Sequence, residues 1–304
     1  MPLMDLGDGP ASLGRVGVAV DVARECGFAA VSANDHFLFQ TAWLDGLTAL
    51  AAVVERSGSM RLATTIALVA LRGPVALAKT LVALDVLSEG RVIAGVGPGS
   101  SQRDYDAIGV PFAERWQRFD EATAILRALL RDEPPPESRR HYAVPDAALA
   151  PTPYRRGGIP VWIGSWGSAA GIRRVARLGD GWLASAYNTT PEQFKAARQS
   201  LAERLRGERR DPEGFPNALV TMWTWITEDE RDADRVLRDV LAPLLGREPD
   251  ALRDQLCVGP AQKCAALLSR YAEAGCESVY LWPLGAEARQ IELAATTVLP
   301  AIRG

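Results

Sequence analysis

One stretch decides the fold of this chain. It runs from residue 87 to residue 101 and reads LSEGRVIAGVGPGSS. A helix ends at Gly90, and the run Arg91–Gly95 that follows has the length and apolar character of a strand covered on both faces. The same order, a helix that ends at a glycine and then a short apolar run, recurs at Gly27, Gly179 and Gly275. This repetition is typical of α/β proteins with a parallel sheet.

The repeat continues along the whole chain. Further strand-like runs occupy about residues 61–67, 160–163 and 218–226, and a shortened first strand is expected near residues 2–6, with Met1 beginning inside it. Eight strand–helix units result. This number favours a single domain over residues 1–304, an α/β fold of the (β/α)8 TIM-barrel class, rather than an open doubly wound sheet.

Three other segments carry structural predictions. Residues 132–158 are rich in proline, and we expect a long loop inserted at the carboxyl face of the barrel, where it would cap a site. Residues 243–258 are expected to form a lid or a short helix pair. An apolar stripe with helical spacing is expected to face the core. Its members are Trp116, Phe119, Thr123, Leu126 and Leu130.

Composition and charge exclude several classes of function. Lys and Arg total 34 against 37 Asp and Glu, and the formal net charge of −3 provides no basic surface for nucleic acid. With 2 histidines, and 4 cysteines that form no C-x-x-C pair, neither a metal centre nor a disulfide framework is indicated. No apolar run reaches the roughly 18 residues of a membrane span, and no signal peptide is recognisable, so we expect a cytoplasmic protein without membrane contact.

Candidate catalytic residues follow the second strand. In a parallel barrel the functional face lies at the carboxyl ends of the strands, and Asp35 and His36 stand there. A histidine beside a fixed negative charge suits proton transfer or substrate orientation. The alternative is that Asp35 caps the loop and His36 packs against its neighbours.

Two glycine-bearing turns predict a binding site for a phosphorylated cofactor. The first holds Gly97, Pro98, Gly99, Ser100 and Ser101, and the second holds Gly164, Ser165, Trp166, Gly167 and Ser168. The first turn is neither a dinucleotide fingerprint nor a P-loop. Ser168 alone would be read as a helix N-cap, but two such turns at one barrel mouth favour a bound cofactor. Trp43, Arg72, Tyr187 and Trp225 are candidates for the substrate pocket.

The chain resembles the bacterial-luciferase-like superfamily of flavin- and deazaflavin-dependent oxidoreductases. The resemblance covers nearly the whole sequence. It rests on Gly90–Gly99 continued by Ile108–Arg115, on Asn34–His36, Leu62–Ile66, Arg72–Pro74, Pro160–Gly164 and Gly179–Trp182, and on Val258–Pro260 and Leu281–Leu284.

The resemblance implies a TIM barrel, a homodimer, and FMN or coenzyme F420 bound at the carboxyl face for hydride transfer. It places Asp35 and His36 beside the ring, with His36 as acid, base or substrate anchor, and it places a non-prolyl cis peptide at Thr65–Ile66 against the ring. Gly97–Arg103 and Gly164–Ser168 would hold the ribityl and phosphate groups.

The cofactor decides the reaction. Asp35-His36-Phe37 and Val96-Gly97-Pro98-Gly99 resemble the deazaflavin users more closely, so we expect an F420-dependent reductase of a small organic substrate. The alternatives are an FMN-dependent monooxygenase supplied with reduced flavin by a separate reductase, and a flavin-binding barrel without catalysis. Ser100 stands where the family's sugar-phosphate dehydrogenases carry glutamate, and Gln40 replaces their tryptophan, so a sugar phosphate is disfavoured.

Overall fold

Strands and helices alternate along the chain. The computed structural model describes residues 1–6, 9, 11–137, 139–144 and 149–302. The strands are β1 (Ala30–Ala33), β2 (Arg61–Thr64), β3 (Ala67–Leu68), β4 (Val92–Gly97), β5 (Val161–Gly164), β6 (Gly181–Ser185), β7 (Asn217–Ile226), β8 (Cys257–Gly259) and β9 (Val279–Pro283).

The helices that surround the sheet begin and end at residues suited to those places. Pro74 and Pro191 occupy the first position of α4 and α8, as the sequence predicts, because proline there gives up no helical hydrogen bond. The α-helices are α1 (Leu13–Glu25), α2 (Gly46–Ala52), α3 (Val69–Arg72), α4 (Pro74–Leu87), α5 (Gln102–Ile108), α6 (Arg115–Leu129), α7 (Ala169–Leu178), α8 (Pro191–Gly207), α9 (Glu230–Arg235), α10 (Ala242–Leu245), α11 (Pro249–Gln255), α12 (Ala261–Glu273) and α13 (Glu287–Leu293).

The strands form one parallel sheet that curls into a half-barrel. The pairing order is β1-β2-β4-β5-β6-β7-β8, with β3 beside β4 and β9 beside β7. Among the strands that the structure describes, no ladder joins β1 to β9, and a cavity of about 520 Å³ lies between them. The parallel α/β architecture of the sequence prediction is thereby confirmed.

The predicted first strand near residues 2–6 is wrong. This segment forms an isolated antiparallel bridge between Met4 and Trp43. Its backbone hydrogen-bonding groups pair with the loop before α2. Leu44 N donates to Leu3 O (2.8 Å), and Asp5 N donates to Ala42 O (3.2 Å). The segment therefore pairs mainly with this loop and forms no strand, although the Met1 amine donates to Ser32 O of β1 (3.0 Å).

The core lies between the sheet and its helices. Trp182 of β6 is fully buried and stacks on Phe194 of α8, with ring centroids 4.7 Å apart. On α6 the predicted apolar stripe is confirmed at Phe119, Thr123 and Leu126, which are all buried. At Trp116 the prediction is wrong, because this ring is 40% exposed. Trp116 lies in the first turn of α6, at the mouth of the barrel and outside the core.

The two irregular segments differ in structure. In the loop 132–158 the described residues form no helix or strand, and the Glu121 carboxylate accepts hydrogen bonds from the backbone N–H groups of Arg140, His141 and Tyr142. The segment 243–258 contains α11 and the end of α10, as the predicted helix pair requires. Its last residues also form β8, which the sequence analysis did not predict.

Candidate active site

A cavity of about 600 Å³ opens at the carboxyl ends of the strands. Its walls come from the segments that follow β1, β2, β4, β5 and β6, and from β7. Residues of α6, α7 and α10 form the rim. This is the end of a parallel α/β sheet at which enzymes place their chemistry.

The structure brings most of the predicted site residues to this cavity. Those that line it are Asp35, His36, Trp43, Thr65, Ile66, Gly97, Pro98, Gly99, Ser100, Ser101, Gly164, Ser165, Trp166, Ser168 and Tyr187. Gly167, Arg72 and Trp225 are not among the lining residues. The indole N–H of Trp225 donates to Asp232 (2.6 Å), which directs this ring toward α9. None of the described residues of the loop 132–158 lines the cavity.

His36 is paired with an aspartate that the sequence analysis missed. Its Nδ1 lies 2.8 Å from Oδ2 of Asp104, a residue in the first turn of α5. Asp104 is 2% exposed, and its other oxygen accepts hydrogen bonds from the backbone N–H groups of Phe37 and Leu38, both at 2.8 Å. With Nδ1–H donating to this carboxylate, Nε2 is the nitrogen available to a ligand.

These contacts keep Asp104 ionised although it is buried. Burial alone raises the pKa of this carboxyl. Hydrogen bonds from His36 and from the two backbone N–H groups lower it further than burial raises it, so the pKa lies below its ordinary value of 3.8. A fixed carboxylate behind an imidazole holds one tautomer and stabilises the imidazolium.

Asp35 is also fixed, by a buried ion pair. The Arg72 guanidinium donates from Nε to Asp35 Oδ2 and from a terminal nitrogen to Oδ1, both at 2.6 Å, and it also pairs with Asp45. Leu68 N donates to Asp35 Oδ2 (3.0 Å). Both oxygens of Asp35 are therefore engaged within the protein. This network anchors the loop that carries His36.

Opposite the histidine loop lies a surface that we name the glycine cradle, formed by Thr65, Ile66, Gly97 and Gly164. The Thr65–Ile66 peptide bond is cis, as the resemblance predicts. A Cβ atom at Gly97 would lie 2.7 Å from Ile66 Cδ1, and one at Gly164 would lie 3.0 Å from Ile66 Cγ2. Glycine at both positions therefore gives the Ile66 side chain the room that it occupies. The Thr65 hydroxyl is buried without a hydrogen-bond partner among the described residues.

Two serine side chains cap the helices next to the cradle. Ser101 Oγ accepts from Asp104 N (3.4 Å) at the start of α5, and Ser168 Oγ accepts from Gly171 N (3.2 Å) at the start of α7. Both act as N-caps, which is the alternative that the sequence analysis gave for Ser168. The remaining N–H groups at the start of α7 and its positive dipole end favour an anion.

Aromatic rings form the wall around His36. The His36, Phe39 and Trp43 rings lie 4.6 to 4.7 Å from one another, and Trp223 packs edge to face on Trp282 at 4.9 Å. The indole N–H groups of Trp43 and Trp223 are buried and have no acceptor among the described residues. A ligand with an acceptor atom would satisfy these donors.

The floor and the roof of the cavity come from later elements. Thr221 of β7, at φ 60°, bonds Ser185 Oγ (2.9 Å) and accepts from Ala186 N (3.1 Å). Leu244 and Leu245 of α10 form the roof. The roof is tied to the site by Gln40, which donates to Leu244 O (3.0 Å), and Arg247 beside it donates to Asn188 Oδ1 (2.8 Å).

Sequence reasoning missed Asp104, which lies behind His36, and several residues that line the cavity, for identifiable reasons. Asp104 was not singled out because an acidic residue in a first helical turn is common. Trp223 and Trp282 alternate with core residues along their strands, so the sequence did not indicate which face of the sheet each indole occupies. The cavity is also lined by Arg115, Trp116 and Arg174.

No three histidine, cysteine, aspartate or glutamate side chains of the described residues converge as metal ligands. Within the same part of the chain, no helix has the length and apolar character to cross a membrane.

Comparison with known proteins agrees with this architecture. The chain is 24% identical over 242 residues, 80% of its length and 71% of the relative's, to a 5,10-methylenetetrahydromethanopterin reductase of Methanolobus tindarius. The fold matches an F420-dependent secondary alcohol dehydrogenase solved with an F420–acetone adduct, with a TM-score of 0.84, 19% identity and coverage of 96% and 95% of the two chains.

A monooxygenase of Streptomyces bottropensis matches with a TM-score of 0.82 and 21% identity over 95% of this chain and 94% of that one. The family model described as luciferase-like monooxygenase matches residues 4–248. The chain belongs to the luciferase-like monooxygenase family, whose members related to it include F420-dependent reductases and flavin monooxygenases.

Proposed function

We propose that this protein is a coenzyme F420-dependent oxidoreductase that reduces a small organic substrate by hydride transfer. The observation that carries the proposal is the pairing of His36 with the buried Asp104 carboxylate, which leaves one imidazole nitrogen facing a cavity bounded by the glycine cradle and an aromatic wall. The similarity to a reductase over 80% of this chain supports reduction as the reaction, and the resemblance of Asp35-His36-Phe37 and Val96–Gly99 to the deazaflavin users supports the deazaflavin over FMN.

The residues present fit a flavin-type ring and its phosphate. The cavity of about 600 Å³ is large enough for the cofactor ring and a small substrate. The unpartnered Thr65 hydroxyl offers a hydrogen bond at the cradle. Thr65, Ile66 and Gly97–Ser101 would hold the ring and the ribityl chain, and Gly164–Ser168 with the start of α7 would hold the phosphate. When bound, the reduced deazaflavin supplies a hydride at its C5 carbon.

His36 would supply the matching proton. In its imidazolium form, Nε2–H donates to the substrate atom on which negative charge develops as carbon gains the hydride. The N–H bond breaks, an O–H or N–H bond forms on the substrate, and neutral His36 keeps Nδ1–H on Asp104. Asp35, held by Arg72, positions the loop and does not exchange a proton.

The test is a set of anaerobic titrations of the purified protein with F420 and with FMN, each oxidised and reduced, followed by intrinsic tryptophan fluorescence. Turnover of reduced F420 is then measured with ketones, imines and activated alkenes. Tight binding of the deazaflavin and substrate-dependent oxidation support the proposal. His36→Ala should bind the deazaflavin as the wild type does and lose most of the turnover.

One other function is favoured by a specific observation, the family description of luciferase-like monooxygenases. Preference for reduced FMN with substrate-dependent oxygen consumption would replace our proposal by that one. Binding of deazaflavin without turnover of any substrate class would favour a cofactor carrier. We also propose a closed (β/α)8 barrel and a homodimer, the latter testable by light scattering.

A further inference from the structure

The rim of the cavity carries a group of cationic and aromatic side chains that the proposed chemistry does not use. We name it the arginine rim and define it as Arg115, Trp116 and Arg174. The Arg174 guanidinium lies over the Trp116 ring at 4.5 Å, and that of Arg115 lies 4.1 Å from the Phe112 ring. Trp116 is 40% exposed, so the rim borders solvent at the cavity mouth.

Positive charge on the rim exceeds the carboxylates available to balance it. Arg115 donates to Phe112 O (3.1 Å) and has no carboxylate within 4.0 Å among the described residues. Its neighbour Arg118 does form such a pair, with Glu114 at 2.7 Å. Arg174 uses its Nε for Asp120 (2.7 Å), and Asp120 also pairs with Arg177 at 3.1 Å. The Arg115 guanidinium is thus left for an anion, and Arg174 has only a carboxylate that it shares with Arg177.

The rim lies beyond the place where a phosphate would bind. Ser168, Gly171 and Arg174 all line the cavity, at a spacing of three residues along one face of α7. At about 1.5 Å per residue, Arg174 stands about 9 Å along the helix from its N-cap. Asp120 and the Trp116 ring hold its guanidinium on the side of α6. The cations therefore suit anionic groups that continue outward from the phosphate.

This chemistry separates the two candidate cofactors. FMN ends at its phosphate, whereas in coenzyme F420 the phosphate is esterified to lactate and continues into linked glutamates, each with a free carboxylate. We propose that the arginine rim binds the glutamyl carboxylates of coenzyme F420. The inference rests on the proposed function, and it assigns a binding site outside the reacting centre.

The test compares dissociation constants for three deazaflavins, measured by fluorescence titration of the whole protein. They are the riboflavin-level deazaflavin without phosphate, the phospholactyl form without glutamate, and F420 with two or more glutamates. Arg115→Gln and Arg174→Gln should each weaken binding of the glutamylated form about fivefold, as expected for loss of a half-exposed ion pair. Binding of the two shorter forms should stay within twofold. Arg173→Gln, which removes an exposed charge from the same helix, is the matched control.

Several results would overturn the inference. An equal loss for the phospholactyl form would make the rim a phosphate site, and an equal loss for the form without phosphate would make the arginines structural. If the wild type binds all three forms equally, the rim has no role in binding while the proposed function stands. If the wild type binds none of them, the proposed function and this inference both fail.

Discussion

Replacing Asp104 by asparagine tests the chemistry of the site most directly. The change keeps the size of the side chain and leaves an amide oxygen for the N–H groups of Phe37 and Leu38. It removes the negative charge from the partner of His36, which lies at 2.8 Å. The amide N–H₂ would then face Nδ1, so neutral His36 would carry its proton on Nε2 and the imidazolium would lose its counter-charge.

The expected effect follows from that one contact. A hydrogen bond to a charged group contributes about 1.5–3 kcal/mol, which corresponds to a roughly 10- to 150-fold fall in kcat for reduced F420 oxidation. Deazaflavin binding should stay within twofold.

The assay is steady-state turnover between pH 5 and 9, with fluorescence titration of the cofactor and thermal unfolding as controls. Asp106→Asn, an exposed aspartate on the same helix, is the matched variant. If Asp104→Asn keeps kcat within threefold, then His36 is not the proton donor or Asp104 does not orient it.

Three further outcomes are expected. Arg72→Met leaves the buried Asp35 carboxylate without its counter-charge and should lower the free energy of unfolding by about 3–5 kcal/mol in urea titrations; a loss below 1 kcal/mol would contradict the anchoring role. Gly97→Ala places a Cβ 2.7 Å from the isoleucine of the glycine cradle and should weaken cofactor binding about tenfold by titration, whereas Gly14→Ala, with nothing nearer than 3.9 Å, should not. Because the pKa of Asp104 is lower in the folded protein than in the unfolded chain, its stabilising effect is complete above the unfolded pKa of about 3.9 and is lost as pH falls through the folded value. The midpoint temperature of thermal unfolding of the wild type should therefore fall more steeply below about pH 4. The midpoint temperature of Asp104→Asn should fall less over the same pH range.

Most of the strands could be predicted from the sequence because local residues indicate them, whereas the three-residue strand β8 was not predicted. A glycine after a helix and a run of apolar residues are both visible within ten residues, and the strands near Gly27, Gly90, Gly179 and Gly275 are all confirmed. The segment 2–6 has the same composition but pairs with the loop before α2. Which backbone groups are free to accept a partner depends on the assembled fold.

The site residues also fall into those that the local sequence indicates and those that only the fold brings together. His36 and the glycine turns follow strands directly, so their place at the carboxyl face could be predicted. Asp104 lies 68 residues away from His36 in the sequence, and nothing local indicates the contact. Arg72 is a sequence-based candidate for the substrate pocket, but the structure pairs it with Asp35, 37 residues earlier. When an arginine and an aspartate are far apart in the sequence, nothing local indicates that they form an ion pair.

The roof over the aromatic wall has a consequence for how substrates are chosen. Leu244 and Leu245 lie at the end of a helical segment that stops before Gly246, at φ 60°, and hydrogen bonds from Gln40 and from Arg247 hold this end. Both leucines are also partly buried against the core. The proton donor and the cradle belong to other segments of the chain. Variation of these two leucines would then retune the size of the accepted molecule without disturbing the reaction, and related enzymes could diversify by exchanging this short piece alone.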